Sequence, residues 1–167
     1  MDISGRIFRD VERLTSFSED ICAAGRTPGS RTLRLGLVSG RTIDGKLGDG
    51  EIVELVRVRS ADAAPICIER TYLPRRTWAL LEHAKLDRQS LYTLLEEHGE
   101  RIVRSEEHLI ARLASAQELD WLSLSGPAAV TAIARLCFDD TGEAVELTEN
   151  GLLGDAYVFR FALSRTL

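Results

Sequence analysis

At 167 residues the chain is long enough for one domain with a sizeable core, and 44% hydrophobic with 28% charged residues is an ordinary globular balance. No apolar run approaches the ~18 residues needed to cross a bilayer, and the charged start through Arg6, Arg9 and Asp10 lacks the apolar core of an export signal, so a cytoplasmic location with no membrane partner is expected. A net charge of −5, with no concentrated basic face to displace counterions from phosphates, argues against DNA binding by this chain alone.

The spacing of Ile7, Phe8, Val11, Leu14, Phe17 and Ile21 predicts a helix over 7–24. Thr15-Ser16 followed by Glu19-Asp20 also reads as a cap with acidic first-turn residues, which allows a break and a fresh helix start at Thr15 or Ser16. Gly25 and Thr27-Pro28-Gly29 end the helix. A strand is expected over 31–38, a loop over 39–50, and then a hairpin of strands 51–59 and 65–73 about the turn 60–64. Short helices follow at 78–83 and 90–98, a long strand at 102–114, and a helix over 115–122 capped by Ser115. Strands 128–138 and 143–152 flank the turn Asp139-Asp140-Thr141-Gly142, and Tyr157, Phe159, Phe161 and Leu163 alternate in a final strand. Hairpins in place of regular strand–helix–strand units imply an α+β domain with a largely antiparallel sheet.

Cys22, Cys67 and Cys137 are odd in number, widely spaced and set among apolar residues, as reduced thiols packed like small hydrophobes would be. His83, His98 and His108 show no ligand spacing. No disulfide, metal or cofactor is expected.

The polar residues of the hairpin are the most informative. Arg57 and Arg59, two residues apart, share one strand face, and Glu69 joins them if it pairs opposite Arg57. Two guanidinium groups ordered by one carboxylate make a fork for an anion. The same pattern is met more often on a solvated sheet face with a cross-strand ion pair. Thr15 and Ser16 offer hydroxyls at a helix start, Ser90 caps a short helix that carries Tyr92 on its first turn, and Glu146 interrupts an otherwise apolar strand.

These blocks together resemble the UTRA domain, the effector-binding domain of the HutC subfamily of GntR-type bacterial regulators. The matching residues are Leu14 to Asp20 with Gly25, Val56 to Asp62, Pro65 to Pro74, Ser90-Leu91-Tyr92, Gly142 to Glu146 and Gly154 to Phe159. The resemblance implies a chorismate-lyase-like fold, a mostly antiparallel six-stranded sheet with flanking helices, and a homodimer that binds a small anionic metabolite. Arg57 and Arg59 correspond to its oxyanion-binding pair and Glu69 to a carboxylate that contacts ligand hydroxyls or amines. Thr15, Ser16, Ser90, Tyr92 and Glu146 correspond to further pocket positions. Operator DNA would be reached only through a winged helix-turn-helix domain absent from this chain, with residues 1–12 as remnant linker and 13–167 as the ligand-binding domain. Such a chain is either a portion of a longer regulator or a stand-alone sensor. Where the family commonly carries an aromatic pair after the Glu146 block, this chain has Gly151-Leu152-Leu153, which favours a less polar ligand than a sugar. Two other functions remain open on the sequence: a lyase of the chorismate type, and a dimerisation domain with a degenerate pocket.

Overall fold

The computed structural model describes residues 5–165. Its backbone is a six-stranded sheet in the order β2-β3-β4-β7-β6-β5, beside a two-stranded ribbon of β1 and β8. The strands are β1 (Ile7–Asp10), β2 (Pro28–Ser39), β3 (Glu51–Ala61), β4 (Ala64–Pro74), β5 (Arg104–Leu113), β6 (Ala129–Phe138), β7 (Ala144–Leu153) and β8 (Tyr157–Arg160). The helices are α1 (Phe17–Ala23), α2 (Trp78–Leu81), α3 (Leu91–Glu97) and α4 (Ala116–Trp121), with 3-10 turns at Gly40–Ile43 and Arg75–Thr77. Every neighbouring pair in the large sheet is antiparallel, and β1 pairs with β8 in parallel. The expected α+β class and six-stranded antiparallel sheet are therefore present.

Local chemistry explains most boundaries. The β3–β4 hairpin closes on Asp62-Ala63, both at positive φ (51° and 68°), the twist that suits a two-residue hairpin. Asp62 steadies that turn by accepting from Arg26 Nε and the Thr27 amide, each at 2.8 Å. Ser16 caps α1 in a reciprocal box: its hydroxyl accepts from the Glu19 amide at 3.3 Å, and its own amide donates to the Glu19 carboxylate at 2.7 Å. Ser115 and Glu118 repeat the device at α4.

The expected helix from Ile7 is corrected. Residues 7–10 form β1, whose hydrogen bonds to the ribbon partner β8 replace helical ones, and the helix begins only after the cap at Ser16. Ile7 packs with Ile21, Cys67, Ile133, Leu152 and Tyr157, so its burial comes from a partner about 150 residues away in sequence and not from a helical stripe. Part of the stretch read as linker is thus paired into the domain. The final strand is also shorter than the alternation suggested, and ends at Arg160.

Two apolar clusters cover one face of the large sheet. The first joins α1 and the β1–β8 ribbon to Cys67, Ile133 and Leu152; the second packs Leu81, Leu86, Leu91, Leu94 and Leu95 against Val53, Leu55 and Leu73. Between them the same face carries polar side chains instead. That gap is the site.

Candidate functional site

Register assembles the site row by row. Arg57 stands opposite Glu69, Glu69 opposite Asn150, and Asn150 opposite Ile133. Two residues along, on the same face, Leu55, Thr71, Thr148, Arg135 and Glu107 form the next row. Glu146 follows beyond Thr148, opposite Cys137. The cavity above these rows is closed by Ser16, Phe17 and Ser18 of the α1 region and by Ser90, Leu91 and Tyr92 of α3. Its free space for water-sized molecules is about 40 Å³, enough for a few waters.

The arginine pair is buried, with Arg57 at 1% and Arg59 at 4% exposure, so the solvated-face reading of the sequence does not hold. Arg57 donates to Glu69 through both Nε, at 2.8 Å, and Nη2. Arg59 reaches the two oxygens of Glu69 at 3.3 and 3.4 Å, donates to the Ser18 hydroxyl at 3.1 Å, and lies over the Phe17 ring at 4.4 Å. Burial alone would raise the Glu69 carboxyl, but the two guanidinium groups outweigh it and hold Glu69 below its ordinary value. One carboxylate therefore orders two cations, and among the described residues Arg57 Nη1 and Arg59 Nε have no partner.

Glu146 is a different acid. It is 1% exposed, its Oε2 accepts from the Tyr92 hydroxyl at 2.7 Å, and its Oε1 has no partner among the described residues. Burial, opposed by the Tyr92 bond, pushes its pKa up to about 7. The same burial pushes the Tyr92 phenol and the Cys137 thiol up, so both stay protonated.

Of the eight residues expected from the sequence, the structure brings seven to the cavity wall: Arg57, Arg59, Glu69, Ser90, Tyr92, Ser16 and Glu146. Ser16 and Ser90 act there as caps, for α1 and α3 respectively. Thr15 is set apart: its hydroxyl donates to Asp20 at 2.7 Å and its carbonyl accepts from Arg135 at 3.0 Å, so it holds the wall from behind.

The sequence reading missed Arg9, Asp20, Arg135, Thr148 and Asn150, all of which line the cavity. Thr148 and Asn150 were findable, because two-residue periodicity puts both on the face of Glu146. Arg135 is the one ionised side chain within β6, a signal of the same kind as Glu146. Arg9 was hidden by the helix reading of its segment. It donates to Glu107 at 2.5 Å and lies 3.9 Å from Asp20, while Arg135 Nε is 2.7 Å from Glu107. Together with Thr15 these charges close a ring, and Arg135 ties it to the pocket by donating to the Tyr92 hydroxyl at 3.2 Å. Among the described residues no cluster suited to a metal ion occurs, and no helix is long and apolar enough to cross a membrane.

An antiparallel sheet with a charged, covered cavity on one face agrees with the chorismate-lyase-like α+β fold expected from the sequence. The UTRA domain family model matches residues 23–158, and the chain belongs to that family. It is 30% identical over 160 residues to the HTH-type transcriptional repressor NagR of Bacillus subtilis, covering 93% of this chain but 65% of that protein's length. The effector domain of PhnF from Mycobacterium smegmatis superposes with a TM-score of 0.86 at 20% identity, over 95% of this chain and all of that one. A GntR-family regulator from Enterococcus faecalis gives a TM-score of 0.63 at 24% identity, over 81% of this chain and 99% of its own.

Proposed function

We propose that the chain is the effector-sensing and dimerisation domain of a GntR-type regulator of the HutC subfamily. It binds a small anionic metabolite (a sugar phosphate, a phosphonate or a carboxylate) and so controls DNA binding by a winged helix-turn-helix domain that is not in this chain. The observation that carries the reading is the buried pair Arg57 and Arg59, each with an unpartnered guanidinium nitrogen in the cavity wall. A buried donor left unpaired is costly, and an oxyanion removes that cost. Arg9, Arg57, Arg59 and Arg135 stand against Asp20, Glu69, Glu146 and, behind the wall, Glu107, so the site carries a positive surplus when Glu146, whose pKa is pushed up to about 7, is protonated, and that surplus favours an anion. The similarity to NagR supports the regulatory context and the cytoplasmic location that goes with it. A pocket that had lost its ligand would be expected to fill with apolar side chains, which argues against the degenerate reading. The chain is taken as a binding module and not as an enzyme.

The test is thermal unfolding with a panel of phosphate, alkylphosphonates, small carboxylates and sugar phosphates. A ligand at about a hundred times its Kd should raise the melting temperature by about 5–10 °C. Arg59→Met keeps an unbranched apolar chain beside Phe17 in place of the guanidinium and leaves Glu69 its stronger partner Arg57, so it should fold yet lose most of that shift. Arg57 is the poorer choice, because its removal strips Glu69 of its main partner. A panel without any stabilising anion, or a full shift retained by Arg59→Met, would refute the assignment.

A further inference from the structure

Arg9 reaches the cavity from outside the matched region of the chain. The UTRA match covers residues 23–158, whereas Arg9 belongs to β1 and is buried in the cavity wall. Tyr157 joins it there from β8, so both strands of the ribbon contribute to the wall. Each strand has four residues, and among the described residues β1 pairs with β8 alone. A two-stranded ribbon of that length is marginal on its own and needs other contacts to stay in place.

Buried charges supply them. Arg9 Nη2 and Arg135 Nε converge on Glu107 Oε1, at 2.5 and 2.7 Å. Through Nη1, Arg135 also donates to the Tyr92 hydroxyl at 3.2 Å and to the Thr15 carbonyl at 3.0 Å. The Tyr92 hydroxyl in turn donates to Glu146 at 2.7 Å. An unbroken line of polar contacts thus runs from β1 through β5, β6 and α3 to Glu146 on β7. Arg9 and Arg135 are both buried, and a buried guanidinium that loses its carboxylate is left uncompensated. The same Arg135 therefore fastens the ribbon, through Glu107, and the cover of the cavity, through Tyr92 and Thr15. Whatever orders one side favours order on the other.

We propose that the β1–β8 ribbon is a working part of the effector site, with Arg9, Glu107 and Arg135 coupling its docking to occupation of the cavity. A bound anion then tightens the ribbon. A docked ribbon tightens binding by the same factor, since coupling between two equilibria is reciprocal. The inference rests on the anion-binding reading above and adds a segment that responds to the anion. In the proposed regulator, β1 is the strand that a preceding winged helix-turn-helix domain would lead into.

Hydrogen exchange and isothermal titration test it, with inorganic phosphate, ethylphosphonate and propionate as probes. The amides of Ile7 and Val11 bond to the carbonyls of Ala156 and Arg160 and report on the ribbon. A saturating probe should slow their exchange about fivefold or more. Val11 lies outside the cavity wall, and Val11→Pro removes its bond to Arg160. This variant should bind the same probe several-fold more weakly than the parent. Arg135→Met leaves Arg57, Arg59 and Glu69 in place, so it should still bind, at reduced affinity, while the Ile7 and Val11 amides no longer respond to the probe. It carries the test if Val11→Pro fails to fold. Exchange in the parent that ignores a bound probe overturns the coupling, as does full affinity in Val11→Pro, and in both cases the anion reading stands. A response that survives in Arg135→Met overturns the path through that residue. Failure of all three probes to bind overturns both readings.

Discussion

Glu146 is the residue whose protonation should be visible in the stability of the whole domain. It faces Tyr92 from α3, Cys137 from β6, Arg57 from β3 and Glu69 from β4, with Arg135 reaching it through the Tyr92 hydroxyl. Its ordinary value of 4.5 is raised to about 7, chiefly by burial. Between those values the folded protein binds a proton that the unfolded chain releases. The stability contributed by protonated Glu146 is therefore fully present below 4.5 and is lost as pH rises through 7, a change on the order of 3 kcal/mol. Glu146→Gln keeps an uncharged acceptor for Tyr92 and removes the titration. Measured by urea unfolding across this range, its stability relative to the parent should climb with pH and level off above neutrality. Parallel curves would mean that Glu146 is ionised throughout. At this scale part of the site was legible: alternation puts Arg57 and Arg59 on one face, but the turn alone does not set Arg57 opposite Glu69, because a register shift between Arg59 and Ser60 makes that pairing. Burial did not follow, since alternation marks two faces without saying which one another layer covers.

The elements that cover the cavity were legible to different degrees. The caps at Ser16, Ser90 and Ser115 are local, and the sequence marks all of them. The ribbon is not local. Ile7, Phe8, Val11 and Leu14 satisfy a helical repeat, whereas the partner that makes a strand of Ile7–Asp10 lies at Tyr157–Arg160. What holds this short parallel pair in place is the buried ring of Arg9, Glu107, Arg135, Thr15 and Asp20, which draws on β1, β5, β6 and the start of α1. Glu107 is its hinge, in contact with both arginines. Glu107→Gln leaves two buried guanidinium groups with Asp20 as the remaining carboxylate of the ring. The amides of Ile7 and Val11, which bond to the carbonyls of Ala156 and Arg160, should then exchange with deuterium about tenfold faster, with those of β3 and β4 unchanged. If all four strands loosen equally, the ring supports the fold at large; if none does, it does not anchor β1.

For the whole molecule, the two edges of the large sheet are built differently. On β2 the register shifts between Thr32 and Arg34, and Asp87 takes the Thr32 amide at 2.6 Å, so that edge is bent and partly capped. On β5 the pairing to β6 runs without a shift from Arg104 to Leu113, and among the described residues the other side of the strand has no neighbour in the sheet. Ile110 and Leu113 on this strand are 62% and 69% exposed. A long regular edge with exposed apolar side chains invites pairing with another chain, and natural proteins rarely leave one open. Pairing with a second copy about a twofold axis closes both edges with the same residues, as a symmetric dimer requires. In the proposed dimer, therefore, β5 of one protomer meets β5 of its partner. Light scattering should report twice the chain mass for the parent at micromolar concentration and the single-chain mass for the Ile110→Glu, Leu113→Glu double variant. Ile110 lies on the opposite face of the sheet from Glu107 and Arg135, and Leu113, on their face, is the last residue of the strand and not part of the cavity wall, so the variant should keep its ligand-induced thermal shift. A parent that stays monomeric rules out the dimer, and a variant that stays dimeric places the interface away from β5.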